Sequence, residues 1–218
     1  MTTPPRARLA VFASGGGSNL QAICDHLDAL GAAAPADLVL VVSDRKDAVA
    51  LERARKRRVA AEWAPRDDPQ AVIEVLETHE VGCIALAGYL RLVPARVIAA
   101  FRGRIVNVHP ALLPAFGGPG MYGARVHEAV LRAGARITGP TVHFVNERYD
   151  EGAIIAQWPV PVREEDTPAS LARRVLAAEH RLYPRCVAAL CAGALTLGDD
   201  GRVHGADAFA FDTAPAVA

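Results

Sequence analysis

No charge of either sign predominates in this sequence: 24 Lys and Arg stand against 24 Asp and Glu in 218 residues, a formal net charge of zero. Without a basic surplus the chain lacks the electrostatic footprint of a nucleic-acid or anionic-membrane binder, so neither is an expected partner. No apolar run reaches the roughly 20 residues that cross a bilayer as a helix. The opening Met1-Thr2-Thr3-Pro4-Pro5 lacks the architecture of a secretory signal. Cysteine is scarce too. Cys24, Cys83, Cys186 and Cys191 form no C-x-x-C, and no Cys/His group has zinc spacing, so no metal is expected. Thiols of this kind, with Cys83 inside an apolar run, fit a reducing compartment, and the cytoplasm is the expected location. The oligomeric state stays open between monomer and homodimer.

Hydrophobic residues make up 51% of the chain, enough for one domain with a full core or two closely packed halves. The first half alternates strands and helices. Leu9–Ala13 is an apolar run ending in Ser14-Gly15-Gly16-Gly17-Ser18-Asn19, after which Leu20, Ile23, Leu27 and Leu30 recur at helical spacing. Leu38–Val42, Ile84–Ala87 and Ile105–Val108 are further strands; the continuously apolar ones are those of a sheet covered on both faces. Helical patterns fall at about 47–57 and 69–79. Strands separated by such helices predict a Rossmann-like, open, twisted and mostly parallel sheet flanked by helices. The second half predicts an antiparallel addition: a glycine-rich loop over 114–124, a helix near 125–133, and strands over Thr141–Val145 and Ala153–Val160. A long helix is expected from Pro168 to Cys191, with Thr167 as its N-cap and Pro168 at the first helical position. After Gly193 the pattern is mixed, and 213–218 reads as a frayed end.

Three groups of residues carry possible chemistry. The Ser14–Asn19 turn from a strand into a helix can present backbone N–H groups and the helix dipole to an anion. It is no Walker A loop, and Leu20 occupies the third glycine position of a dinucleotide fingerprint. The alternative is a turn whose glycines serve packing alone. Asn107 and His109 stand two apart at a strand end closed by Pro110, so their side chains project the same way, where parallel sheets bind ligands. A carboxamide donor beside an imidazole suits acyl transfer, although such a pair also anchors loops. Asp150-Glu151-Gly152 is either a surface turn or the source of a carboxylate that orients His109 and favours its charged form. The densest basic run, Glu52–Arg58, reads as a solvated helix face, the alternative being contact with an anionic ligand.

Taken together, Ser14–Gln21, Ala87-Gly88-Tyr89-Leu90-Arg91, Asn107–Pro114, Gly139–Val145, Asp150–Gly152, Glu179-His180 and Tyr183-Pro184 resemble the phosphoribosylglycinamide formyltransferases, folate-dependent enzymes of purine biosynthesis. The resemblance spans about residues 8–190. It implies one domain over 1–218, with a nucleotide-binding half over about 8–105, a catalytic and folate-binding half over about 106–195, and an extension over 196–218. It implies 10-formyltetrahydrofolate as co-substrate and 5-phosphoribosylglycinamide as acceptor. Asn107, a charged His109 and Asp150 would form the catalytic trio. Gly16, Gly17, Ser18 and Asn19 would hold the phosphate, the last two also through their side chains, and Glu179 the ribose. Leu90, Arg91, Leu92 and Val93, with Asn107, would face the folate, and Thr141 and His143 would stand behind the trio.

This sequence departs from the family in its glycine-rich 115–124 loop, a candidate folate-site lid, in Asp-Glu-Gly for Asp-Gly-Gly, and at His127, which takes no assigned role. A formyltetrahydrofolate hydrolase usually adds an N-terminal regulatory domain, and a methionyl-tRNA formyltransferase a C-terminal domain and a basic surface. Neither feature is present in this sequence. A sugar-nucleotide formyltransferase fits the Ser-Asn loop poorly. From another class, an NAD-binding module would use Asp44 for ribose, and Leu20 opposes it.

Overall fold

The computed structural model describes residues 5–64 and 68–209. Residues 1–4 and the 213–218 end, read from the sequence as frayed, lie outside them. In chain order the elements are β1 (Ala7–Phe12), α1 (Ser18–Leu30), β2 (Ala36–Ser43), α2 (Val49–Lys56), β3 (Ala60–Trp63), α3 (Pro69–Thr78), β4 (Cys83–Leu86), α4 (Ala95–Ala100) and β5 (Ile105–His109). There follow α5 (Ala124–Arg132), β6 (Ile137–Thr138), β7 (Thr141–Phe144), β8 (Ile154–Gln157), β9 (Val160–Pro161), α6 (Pro168–Cys191), β10 (Thr196–Leu197) and β11 (Val203–His204). Single 3-10 turns cover Gly31–Ala33 and Ala206–Phe209.

Seven strands form one sheet in the order β3-β2-β1-β4-β5-β7-β8. The first five are parallel; β7 and β8 extend the sheet antiparallel. Leu9, Ala10, Val11, Ile84, Ala85 and Val106 are fully shielded, as apolar strands covered on both faces must be. One face packs against α1, α2 and α6, and the other against α3 and α4. A smaller core holds Val130 of α5 against Val160, Leu171 and Val175.

The strand order reverses at β1, whose neighbours are β2 and β4, so a crevice opens beyond the carboxyl ends of β1, β4 and β5. Tyr183 of α6 locks its floor. Its hydroxyl lies 2.9 Å from the Leu86 carbonyl and 3.0 Å from that of Val106. Thr167 caps α6 in a reciprocal capping box with Ser170.

Two sequence expectations need correcting. Ala153–Val160 is not one strand. Pro159, lacking an N–H, cannot continue the ladder, and the chain leaves β7 for a separate two-stranded pairing of β9 with β6. The periodicity also leaves out β3, α4, β6 and the β10–β11 hairpin. These elements are two to six residues long, too short to show a period.

Candidate active site

The turn after β1 enters α1 through Gly17, whose φ of 71° and ψ of 34° are left-handed. A Cβ there would also stand 3.1 Å from Ala50 Cα, so conformation and packing both require glycine. Among the described residues, the N–H groups of Gly16, Gly17, Ser18 and Asn19 meet no acceptor; the first helical bond runs from Gln21 N–H to Gly17 O at 2.9 Å. Four unsatisfied donors at a helix start form an anion cradle. The Asn19 amide is shared: its Nδ2 donates one N–H to Glu179 Oε2 at 2.6 Å, and the second N–H remains for a ligand. Glu179 is buried, and burial raises its carboxyl to about 7, with the Asn19 bond opposing. Arg53, from the basic run, turns onto the loop and donates from Nε to Gly16 O at 2.8 Å.

At the end of β5, His109 is 3% exposed, so its solvation is almost wholly replaced by protein. Its Nδ1 lies 3.4 Å from Asp150 Oδ2, and its Nε2 lies 2.8 Å from the Phe116 carbonyl. Burial lowers its pKa, the Asp150 charge and the Phe116 bond opposing. An ion pair would move histidine up and aspartate down; here both move down, because desolvation dominates at the ring. Both ring nitrogens face acceptors, an arrangement that favours a proton on each, while burial opposes the charge. Asp150 is also penalised by burial, but His143, His109 and the Gly118 N–H at 2.9 Å together keep its carboxyl below the ordinary value.

His143 fixes the orientation of Asn107. His143 Nδ1 sits 2.7 Å from the Phe144 carbonyl, which only accepts, so Nδ1 carries the proton and Nε2 is bare. The Asn107 amide nitrogen, 3.1 Å away, donates to that Nε2. One N–H of the amide remains for a ligand. Thr141 works one layer back. Its hydroxyl donates to Ala111 O at 2.7 Å and accepts from Leu113 N–H at 2.9 Å, holding the segment after His109.

These groups share a cleft of about 870 Å³. Asn19, Glu179, Asn107, His109, His143 and Asp150 line it together with Leu90, Arg91, Leu92 and Val93. Gly16, Gly17 and Ser18 do not line it and stand beside Asn19 at its rim. Leu90, Leu92 and Tyr122 are each exposed by more than 40%, an apolar surface suited to a flat ring system. The 115–124 loop crosses the centre. Gly117 has no room for a side chain, because a Cβ would stand 2.6 Å from Leu113 Cδ2 and 3.1 Å from Asp150 Cβ.

Asp44, the ribose acid of the NAD alternative, pairs with Arg91 Nε at 3.2 Å. The sequence assigns no particular role to two residues that stand at the site. Arg53 was marked only as part of a basic run. His127 of α5 is buried in the cleft wall with Nδ1 unpartnered, and burial lowers its pKa; the sole sequence signal was a histidine next to the glycine-rich loop.

A fold with this switch-point crevice and this Asn-His-Asp centre has a known counterpart: the family described as formyl transferase matches residues 7–187, and the chain belongs to that family. More particularly, it is 47% identical to the chloroplastic phosphoribosylglycinamide formyltransferase of Arabidopsis thaliana, over 91% of this chain and 70% of that protein. It is 40% identical to the phosphoribosylglycinamide formyltransferase of Bacillus subtilis, over 83% of this chain and 92% of that protein. Among solved structures, glycinamide ribonucleotide transformylase 1 from Symbiobacterium toebii matches at a TM-score of 0.83 and 40% identity, covering 93% of this chain and 95% of that one.

Proposed function

We propose that the protein transfers the formyl group of 10-formyltetrahydrofolate to the amino group of 5-phosphoribosylglycinamide, a step of purine biosynthesis. One observation carries this: Asn107, His109 and Asp150 converge in a single cleft between an anion cradle and an apolar wall. The similarity to relatives named for that reaction supports it. The ribonucleotide phosphate lies on the N–H groups of Gly16 to Asn19, and the ribose on Glu179. The folate lies along Leu90, Arg91, Leu92 and Val93 under the 115–124 loop. The nucleotide half is then about 8–105, and the catalytic half about 106–195. The four free thiols suit the cytoplasm.

In the reaction the acceptor nitrogen attacks the formyl carbon, and the carbonyl oxygen gains negative charge. The free N–H of Asn107 donates to that oxygen. The attacking nitrogen must lose a proton and the leaving folate nitrogen must gain one. Once Nε2 is released from the Phe116 carbonyl, His109 relays the first to the second, so it ends as it began. Asp150 stabilises the transient imidazolium across the 3.4 Å contact. His109 Nε2 rests on the Phe116 carbonyl, so the loop shifts when substrate replaces that contact.

The test is formyl transfer from 10-formyltetrahydrofolate with and without glycinamide ribonucleotide. Formylated ribonucleotide is expected only with the acceptor. Folate deformylation at the same rate without acceptor would identify a hydrolase and sink the proposal.

A further inference from the structure

Arg53 lies in a run that reads as a solvated basic face, yet it is half-buried and spent on backbone. Its Nε donates to Gly16 O at 2.8 Å and its Nη1 to Gln21 Oε1 at 3.1 Å. One turn earlier on the same helix, Ala50 N–H donates to Gly15 O at 3.1 Å. So α2 holds two successive carbonyls of the glycine turn. The bonds Gly15–Gly16 and Gly16–Gly17 are trans, as the one cis bond among the described residues is Leu113–Pro114. In a planar trans peptide the C=O and the next N–H point in opposite directions. Tying the carbonyls of 15 and 16 to α2 therefore turns the N–H groups of 16 and 17 away from α2. They join those of Ser18 and Asn19 as a concave set of unpaired donors, the arrangement that binds anions. Gly17 leaves no slack: a Cβ there would be 3.3 Å from Arg53 Cδ.

We infer that Arg53 is a positioning residue for the phosphate of the acceptor, acting through the loop backbone: its two-pronged hydrogen bonding aims the donors, and its charge raises the local potential. This rests on the proposed assignment of the loop to the ribonucleotide phosphate. A lysine keeps the charge but lacks the planar fork.

The experiment compares wild type, Arg53→Ala and Arg53→Lys with two acceptors, glycinamide ribonucleotide and the same ribonucleoside without its phosphate. Inorganic phosphate is added as a competitive inhibitor, and the melting temperature of each variant is recorded. Arg53→Ala is expected to raise KM for the ribonucleotide and Ki for phosphate together, by roughly 10- to 100-fold, the usual weight of hydrogen bonds to a charged group. Both kcat and KM for the folate should stay within about twofold. For the phosphate-free acceptor, kcat/KM should match wild type. Arg53→Lys should recover only part of the ribonucleotide affinity. Unchanged KM in Arg53→Ala, full recovery by lysine, or an equal loss with both acceptors overturns the inference. In the last case a lowered melting temperature identifies a general structural role. Wild type that forms no product with either acceptor overturns the formyl-transfer proposal itself, and the inference falls with it; active wild type with any of the three results above removes the inference alone.

Discussion

His143 and Asn107 are each constrained by one neighbour whose donor or acceptor character is fixed. The Phe144 carbonyl sets the tautomer of His143, the bare Nε2 of His143 sets the face of the Asn107 amide, and that leaves one Asn107 N–H free. Replacing Asn107 or His109 by alanine should lower kcat by about 10²–10³ with little change in the far-ultraviolet circular dichroism; near-normal turnover in either would remove it from the mechanism. Glu179 offers a test by linkage. Its folded pKa of about 7 stands above the ordinary 4.5, so its contribution to stability is full below 4.5 and is lost as pH rises through about 7. Glu179→Gln removes the buried charge while keeping an acceptor for Asn19. It should be more stable than wild type above about pH 7, on the order of 3 kcal/mol at most, and the gain should vanish near pH 5. Urea midpoints at the two pH values measure it; an equal difference at both would mean that Glu179 does not titrate there.

Among the elements, α6 does the most to place the site, because it carries Glu179 toward the cleft and Tyr183 onto the ends of β4 and β5. Its start is legible in the sequence. Thr167 and Pro168 mark it, and the helix runs over Pro168–Cys191 as the spacing predicts. Thr167→Ala should cost about 1 kcal/mol, a fall of roughly 2–4 °C in melting temperature for a domain of this size. No change would show that the capping box contributes nothing. The short elements were not legible: two residues of β6 or β9 carry no period, and their pairing depends on where Pro159 sends the chain. The placement of Asp150 is likewise not periodic. It sits at a left-handed φ of 58°, two residues before a glycine whose Cβ would lie 1.7 Å from the Phe144 carbonyl.

At the scale of the molecule, buried ionisable groups set the response to acid. Burial lowers the pKa of His26, His109, His127 and His180. A histidine depressed in this way contributes stability that is full above the ordinary value of 6.5 and is lost as pH falls below it, since the unfolded chain then binds the proton more readily. Glu179 acts in the opposite sense over the same range, so the histidine contribution is read in the Glu179→Gln variant. In that variant the urea midpoint should fall from about pH 7 to about pH 5. A flat profile would mean that these rings are solvated in the folded state.

The sequence by itself determined the parallel sheet, the glycine turn, the long capped helix and the Asn107–His109 pair, because each is written in local spacing: periods of two and 3.6, a cap, two side chains on one strand face. It marked Arg53 only as part of a basic run. Only the tertiary structure decided that Asp150 meets His109, that Asn19 donates to Glu179, that Arg53 faces inward onto Gly16, and that burial opposes a charge on His109. The physical reason is common to all four. They depend on which distant segments the sheet order brings to one crevice, and on how much water is excluded there, and neither quantity exists until the chain has folded.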